Sequence, residues 1–481
     1  AMRVKFLHQQ LSDFSLAQNY EWLETNNIGS YASSTILGCH SRKYHGLLVA
    51  KLPQKAGKFV ILSQYEDSLS FAEKNFFFCT HTYPNAVYPE GYQCLAEYQP
   101  FPCPTFVYRF GDVTVFKEIL LHPHDNCTFV RYRSEGISEP LLLKIRPLIA
   151  LRNYHELTKE SFHFQVRTFP CKQGFFLTPY QEMPSVYFQM NAKFHFYPSP
   201  MWYYHIEYPE ELNRGYDYHE DLFQPGLIEI PLSDTSEVLV AASLAEQTDF
   251  EKAFLSFYTQ RVENPQMTST DNLLKPFVVH DSLGHCGITA GYHWFEQWGR
   301  DTMISLPGIL LVKKDYQSYL DVLKLYCQFE RRGIIPNFIN DNGDHAYNSV
   351  DASLWLVWAI QQYVEETNDY NTTYELFFET LKNIYHWYKN GTDYHIGMQE
   401  NTLLYSGSPD TSITWMDAQV DGKPVTSRHG YAVEINALWY NFICFFHELC
   451  VETKHFELAH ELAEISKQMK TFFREMFWIE D

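Results

Sequence analysis

The chain has 481 residues, 45% of them hydrophobic and 17% aromatic, too apolar for a disordered protein and too long for one ordinary core, so two or three domains are expected. Its formal charge of −21, from 37 Lys+Arg against 58 Asp+Glu, excludes the basic surface that phosphate contacts need and so disfavours nucleic acid as a partner. The sequence also lacks a Lys/Arg-rich amphipathic stretch and any apolar run near the ~18 residues of a membrane span, which leaves a neutral polymer or a small neutral substrate as the fitting partner and no membrane.

The N-terminus, Ala1-Met2-Arg3-Val4-Lys5, has no apolar core of signal-peptide length, and Ala1 reads as a residue added ahead of an initiator. The ten cysteines are scattered, with no CxxC and no Cys/His metal spacing, so no metal and no cofactor is expected. Most sit in apolar runs such as Phe77-Phe78-Cys79, the usage of a reducing compartment, and a cytoplasmic protein is expected.

From about residue 45 to 240 the pattern is one of short strands. Thr105–Phe110, a Gly111-Asp112 turn and Val113–Ile119 read as a hairpin, and 128–132 and 141–147 continue the theme. β-branched and aromatic residues alternate with polar ones between turn residues, which indicates a β-sandwich over residues 1–245. Past residue 245 the period becomes helical, with helices expected at 248–262, 301–314, 316–331, 351–366, 373–389, 433–453 and 455–477. The polar stretch Glu263–Thr270, with its Pro265 breaker, reads as part of a helical linker spanning 246–275. Residues 276–481 form the expected catalytic region. Leu354-Trp355-Leu356-Val357-Trp358-Ala359-Ile360 is apolar nearly all round, so its helix is buried on more than one side and a two-layer helical barrel is favoured over a single-layer bundle.

Chemistry concentrates in four clusters, each just before a helix or in a long connection: Trp294–Asp301, Pro336–Asp351, Thr414–Asp417 and Arg428–Asn436. Each combines carboxylates with Trp, Arg or amides. Glycosidic hydrolysis needs a carboxylic acid to protonate the leaving oxygen and a second carboxylate as nucleophile or base. Asp, Arg and Asn grip sugar hydroxyls, and Trp packs on the apolar face of the ring. Plainer roles stay open for several of these residues. Asp301 and Asp351 each precede an apolar helical run and suit a cap or first turn, Arg300 suits a structural pairing with Asp301, and His45 and His429 suit satisfied surface histidines. Glu434, inside the apolar start of a helix, must be paired if it is buried.

Five segments resemble a known family. Tyr31–Thr35 through Ser41-Arg42-Lys43-Tyr44-His45-Gly46 resembles the N-terminal domain of bacterial and archaeal glycogen debranching enzymes, the amylo-α-1,6-glucosidases. Trp298-Gly299-Arg300-Asp301, Tyr347-Asn348-Ser349-Val350-Asp351, Thr414-Trp415-Met416-Asp417 and Arg428-His429-Gly430 with Val433-Glu434-Ile435-Asn436 resemble successive signatures of the catalytic domain. The resemblance implies an N-terminal β-sandwich followed by an (α/α)6 barrel of glucoamylase-like type that hydrolyses with inversion, releasing glucose from the α-1,6 branch points of glycogen or a limit dextrin. It puts Asp417 at the general acid, with Asp351 as second choice. Trp298, Arg300, Asp301, Asn348, Trp415, Arg428, His429 and Glu434 fall at substrate-binding positions. Trp415 next to Asp417 is expected to form an apolar wall that favours a protonated acid. The barrel is expected to be incomplete here, with the catalytic base beyond residue 481. The alternatives are a glucoamylase- or trehalase-like hydrolase on the same barrel, or a non-catalytic glucan-binding fragment.

Overall fold

A computed structural model describes residues 5–53, 55–71, 73–233, 236–264, 273–281, 283–340 and 343–479. The chain divides into two compact units, Ala1–Pro276 and Phe277–Asp481.

The first unit is built from two antiparallel sheets. One has nine strands in the order Phe6–Leu7, Leu95–Gln99, Thr105–Phe110, Val113–Leu121, Cys127–Glu135, Glu237–Ser243, Val186–Met190, Gly174–Leu177 and Thr168–Cys171. The other runs His195–Glu207, His219–Leu232, Leu141–Asn153, Lys58–Phe71, Gly46–Lys51, Tyr31–Thr35 and Glu21–Thr25, with Lys74–Phe77 also paired to Lys58–Phe71. The expected hairpin forms in register, Phe110 opposite Val113, and Gly111 supplies the positive φ of +62° that its two-residue turn needs. Because strand side chains alternate, Phe106, Tyr108 and Phe110 share one face and stack at 6.4 and 6.5 Å. They help fill one core with residues of the facing sheet, and Tyr65 meets Phe188 across it at 6.4 Å. A polar link also crosses that core: Asp67 accepts from Tyr132 at 2.6 Å and pairs with Lys117 at 2.5 Å.

The helix expected inside a linker, Phe250–Glu263 (α1), packs on the nine-stranded sheet instead. Phe250 and Phe254 bury against Leu120, Phe129 and Leu239. The Arg131 guanidinium lies 4.2 Å from the Tyr258 ring, and Arg261 pairs with Glu24 at 2.8 Å. The apolar stripe of α1 therefore has a partner surface, and the first unit runs to Pro276. Most of the linker read from Glu263–Thr270 lies outside the described residues.

The second unit is mainly helical, with α2 (Gly299–Leu306), α3 (Tyr316–Gln328), α4 (Asp351–Thr367), α5 (Tyr370–Asn390), α6 (Val433–Glu452) and α7 (Phe456–Phe477). The one clear departure from the expected helices is at 301–314. Pro307 has no N–H to continue α2, and the chain passes through a π-helical turn, Pro307–Leu311, in which Val312 N–H donates to Pro307 O at 3.1 Å. Asp315 and Asp369 start α3 and α5 by accepting from Ser318 and Thr372 backbone N–H groups. Asn368, in the left-handed region at φ 54°, ends α4. Leu354, Leu356, Val357, Ala359 and Ile360 of α4 are all buried, with Trp355 and Trp358 half-buried, so this helix has the many-sided burial its sequence implies. Among the described residues no helix is long and apolar enough to cross a membrane.

Candidate active site

The polar residues that converge in the second unit come from helix starts, at Arg300, Asp351 and Glu434, and from the long connection between α5 and α6, at Thr414, Asp417 and Arg428. Trp298 is extended and precedes α2, where Gly299 N–H donates to Asn337 O at 2.8 Å. The approach is so close that a Cβ on Gly299 would meet the Pro336 carbonyl oxygen at 2.3 Å. Only glycine allows it. Trp298 also bridges to Phe338, their rings 5.1 Å apart.

This docking aims Arg300 at the start of α4. Its Nε donates to Asp351 Oδ2 at 2.6 Å and its Nη2 to Asp351 Oδ1 at 3.0 Å, a two-pronged pair. Ser349 Oγ adds a hydrogen bond to Asp351 Oδ1 at 2.8 Å, and accepts from Ala352 N–H at 3.1 Å. Asp351 is 2% exposed, so a buried carboxylate is matched by a partly buried guanidinium. Burial opposes the charge of Arg300, but Asp351, then Asp417 and Asp301, outweigh it and hold its pKa above the ordinary arginine value. The pairing of Arg300 with Asp301 suggested by adjacency is not what forms. Successive side chains on a helix point about 100° apart, and the guanidinium reaches a carboxylate 51 residues on instead. Asp351 does stand in a first turn, though Val350 rather than Asp351 is the N-cap.

Asp417 Oδ2 lies 4.0 Å from Arg300 Nη1, on the other side of the guanidinium from the tight pair, with 39% of its side chain exposed. Asp301 sits in the first turn of α2 at the surface. Partial desolvation, with the negative charges of Asp351 and Asp417 nearby, pushes its carboxyl above the ordinary Asp value. One cation thus gathers three carboxyls: one buried and clamped, one reachable, and one biased toward its proton.

The last cluster closes on itself. Arg428 Nη1 donates to Glu434 Oε1 and, at 3.2 Å, to Thr414 Oγ1, and Nη2 donates to Glu434 Oε2 at 2.9 Å. Partial burial raises Glu434, but these bonds and the charge of Arg428 outweigh it and hold the carboxyl below its ordinary value. Glu434 is only partly buried, its side chain 33% exposed, so burial does not force the pairing that it makes six residues away. The Arg428 guanidinium also lies 5.5 Å from the Trp415 ring. Trp415 is 58% exposed, so it does not form the dry wall expected beside Asp417; the group on that carboxylate's flank is Arg300. His429 is exposed, its Nδ1 2.8 Å from Ser427 Oγ, and Asn348 is half-buried just before Ser349.

Two supporting residues carried weak signals or none in the sequence. Thr414 lies inside a recognised cluster, but its bond to Arg428 spans a loop. Tyr388 OH holds Val350 O at 2.8 Å from the middle of α5, where only its helical period is legible. In the first unit, His45 is buried rather than at the surface. Its Nδ1 accepts from Ser41 N–H at 3.1 Å, so Nε2 carries the proton and donates to Glu21 at 2.7 Å. Burial opposes the Glu21 charge, but His45 and Arg42 bring the carboxyl down to about 2.

Residues 20–239 match the family model described as glycogen debranching enzyme N terminal, and residues 269–481 the model described as amylo-alpha-1,6-glucosidase. A glycogen debranching enzyme from Saccharomyces cerevisiae (strain ATCC 204508 / S288c) is 26% identical over 211 residues, covering 33% of this chain. The match spans only 14% of that relative's length. A bacterial glucoamylase solved in complex with acarbose superposes with a TM-score of 0.52 at 9% identity, over 94% of this chain and 66% of that one. This likeness bears on the fold alone: a large β-sheet region followed by a helical one.

Proposed function

We infer, from a chain that belongs to the glycogen debranching enzyme family, that its helical unit is a glycoside hydrolase domain acting on α-glucan, and that it removes α-1,6-linked glucose from glycogen or a limit dextrin with inversion. The first unit is read as a β-sandwich, and the helices of the second as hairpins of an (α/α)6 barrel. One observation carries the reading: Arg300, in the first turn of α2, gathers Asp351 from the start of α4 and Asp417 from the loop between α5 and α6, with Asp301 on the next residue. Asp417 is our general acid: its carboxyl is reachable where that of Asp351 is not, the resemblance of Thr414–Asp417 puts the acid here rather than at Asp301, and a poor alkoxide leaving group must be protonated as the bond breaks. Asp351 is the weaker choice. Both of its oxygens are engaged and it is buried, which suits a fixed counter-ion that orients Arg300. Asp301, Trp298 and Asn348 are assigned to sugar hydroxyls and the ring face, and exposed Trp415 to a ring on the leaving-group side. The free cysteines suit a cytoplasmic setting.

The test is hydrolysis of a maltooligosaccharide bearing one α-1,6-linked glucosyl branch, with the anomer of released glucose followed by NMR. β-Glucose as first product supports inversion, and α-glucose refutes it. Asp417→Asn should abolish turnover while leaving glucan binding within about two-fold, since Asn keeps the shape but cannot deliver a proton. A dead Asp351→Asn beside an active Asp417→Asn reverses the assignment. Glucan binding with no turnover by the full-length gene product favours the binding-module reading, and cleavage of α-1,4 ends in preference to the branch favours a glucoamylase-like one.

A further inference from the structure

We propose that Arg428 is a positioning residue: it ties the Thr414–Asp417 segment to the first turn of α6 and so fixes where the Asp417 carboxyl stands relative to Arg300 and Asp351. This rests on the reading of Asp417 as the acid. The argument starts from the length of the connection. Between Ser406 and Gly430 the chain crosses no long helix, and its tip, the pair Gln419–Val420 and Lys423–Pro424, is largely exposed, Val420 at 64%. An exposed tip cannot hold a carboxylate to the sub-ångström placement that proton delivery needs.

The two flanks of the connection are held instead. On one flank, Ile413 O accepts from Val350 N–H at 2.9 Å, joining the segment to the residue before Asp351. The ends of the loop exchange backbone hydrogen bonds, Ser406 to Gly430 at 3.1 Å and Gly430 to Ser406 at 2.8 Å. On the other flank, Arg428 takes hold of Thr414 through a hydroxyl and of Trp415 through its ring. Its fork is fixed by both oxygens of Glu434. Glu434 is set by α6, whose next residues Ile435 and Asn436 are fully buried, and the Asn436 amide bonds Leu404 on both its N–H and C=O. The chain of contacts therefore runs from a buried helix through Glu434 and Arg428 to Thr414 and Trp415, two residues before Asp417. With its fork spent on Glu434, Arg428 has no two-pronged grip left for a sugar. Its part in the reaction is placement, and a placement error of about 1 Å can cost about 100-fold in rate.

The experiment compares Arg428→Gln, Arg428→Lys and Glu434→Gln in the full chain by two readouts. The first is hydrogen–deuterium exchange with mass spectrometry. Amides 411–418 should exchange at least about ten-fold faster in Arg428→Gln and Glu434→Gln, while those in the middle of α4 and α6 keep the parent rate. The second is kinetics on the singly branched maltooligosaccharide: kcat falls about 10–100-fold with KM within about two-fold, and Arg428→Lys recovers part of it because an ammonium keeps the charge but not the fork. Unchanged exchange at 411–418 overturns the proposal. So does a rise in KM at constant kcat, which would make Arg428 a direct sugar contact. If the parent chain does not cleave the substrate, the exchange readout decides by itself: faster exchange confined to 411–418 upholds the tether and parent-like exchange overturns it.

Discussion

Replacing Arg300 by Met tests whether the site is held by its buried ion pair. Met preserves the aliphatic stem but removes the guanidinium, leaving Asp351 with the hydroxyl of Ser349 as its remaining side-chain partner among those seen. Asp351 is 2% exposed and the Arg300 side chain 14%, so the carboxylate has little access to water once the cation is lost. Removing one partner of a buried pair costs about 3–5 kcal/mol, chiefly because the other charge is stranded. For a unit of this size, about 2–4 °C per kcal/mol, the melting transition of the second unit should fall by about 6–20 °C. The assay is urea unfolding and calorimetry of Arg300→Met, Asp351→Asn and the double variant. The double variant should regain much of the loss, because no charge is stranded. A coupling energy below about 1 kcal/mol, the range of an exposed pair, would refute the view that Arg300 and Asp351 act as one buried unit.

Two further outcomes follow from the same geometry. Asp301 has its carboxyl raised above the ordinary value of 3.8, so the folded chain holds that proton more tightly than the unfolded one, and the stability it contributes is present at low pH and lost as pH rises through its raised value. Asp301→Asn removes that loss: the variant should melt higher than the parent near neutral pH, with the advantage gone below about pH 4, whereas a difference that stays constant with pH would refute the assignment. Gly299→Ala sets a methyl 2.3 Å from the Pro336 carbonyl oxygen, a clash relieved only by parting α2 from the 336–338 segment. It should cost about 1–3 kcal/mol in urea unfolding and displace Arg300, and a change within about 0.5 kcal/mol would show that the contact yields freely.

Periodicity and local chemistry are legible from the residues alone. The apolar period of 351–366 and 433–453 marks helices that form as Asp351–Thr367 and Val433–Glu452, because burial of a stripe is decided by residues three and four apart. The hairpin at 105–119 is equally local: two alternating strands and a turn with a glycine where φ is positive. The site residues, too, are legible as clusters of carboxylate, Arg and Trp just before helices or in a long connection. The tertiary structure alone decided who pairs with whom. Adjacency suggests Arg300 with Asp301, yet the guanidinium meets Asp351, and the stripe of α1 finds a sheet rather than a linker's solvent. Trp415, which reads as a wall, stands exposed under Arg428. Each of these depends on how separate elements approach one another in space. A hydrogen-bonding fork or an apolar stripe specifies the kind of partner it needs, and only the packed chain specifies which one arrives within 3 Å.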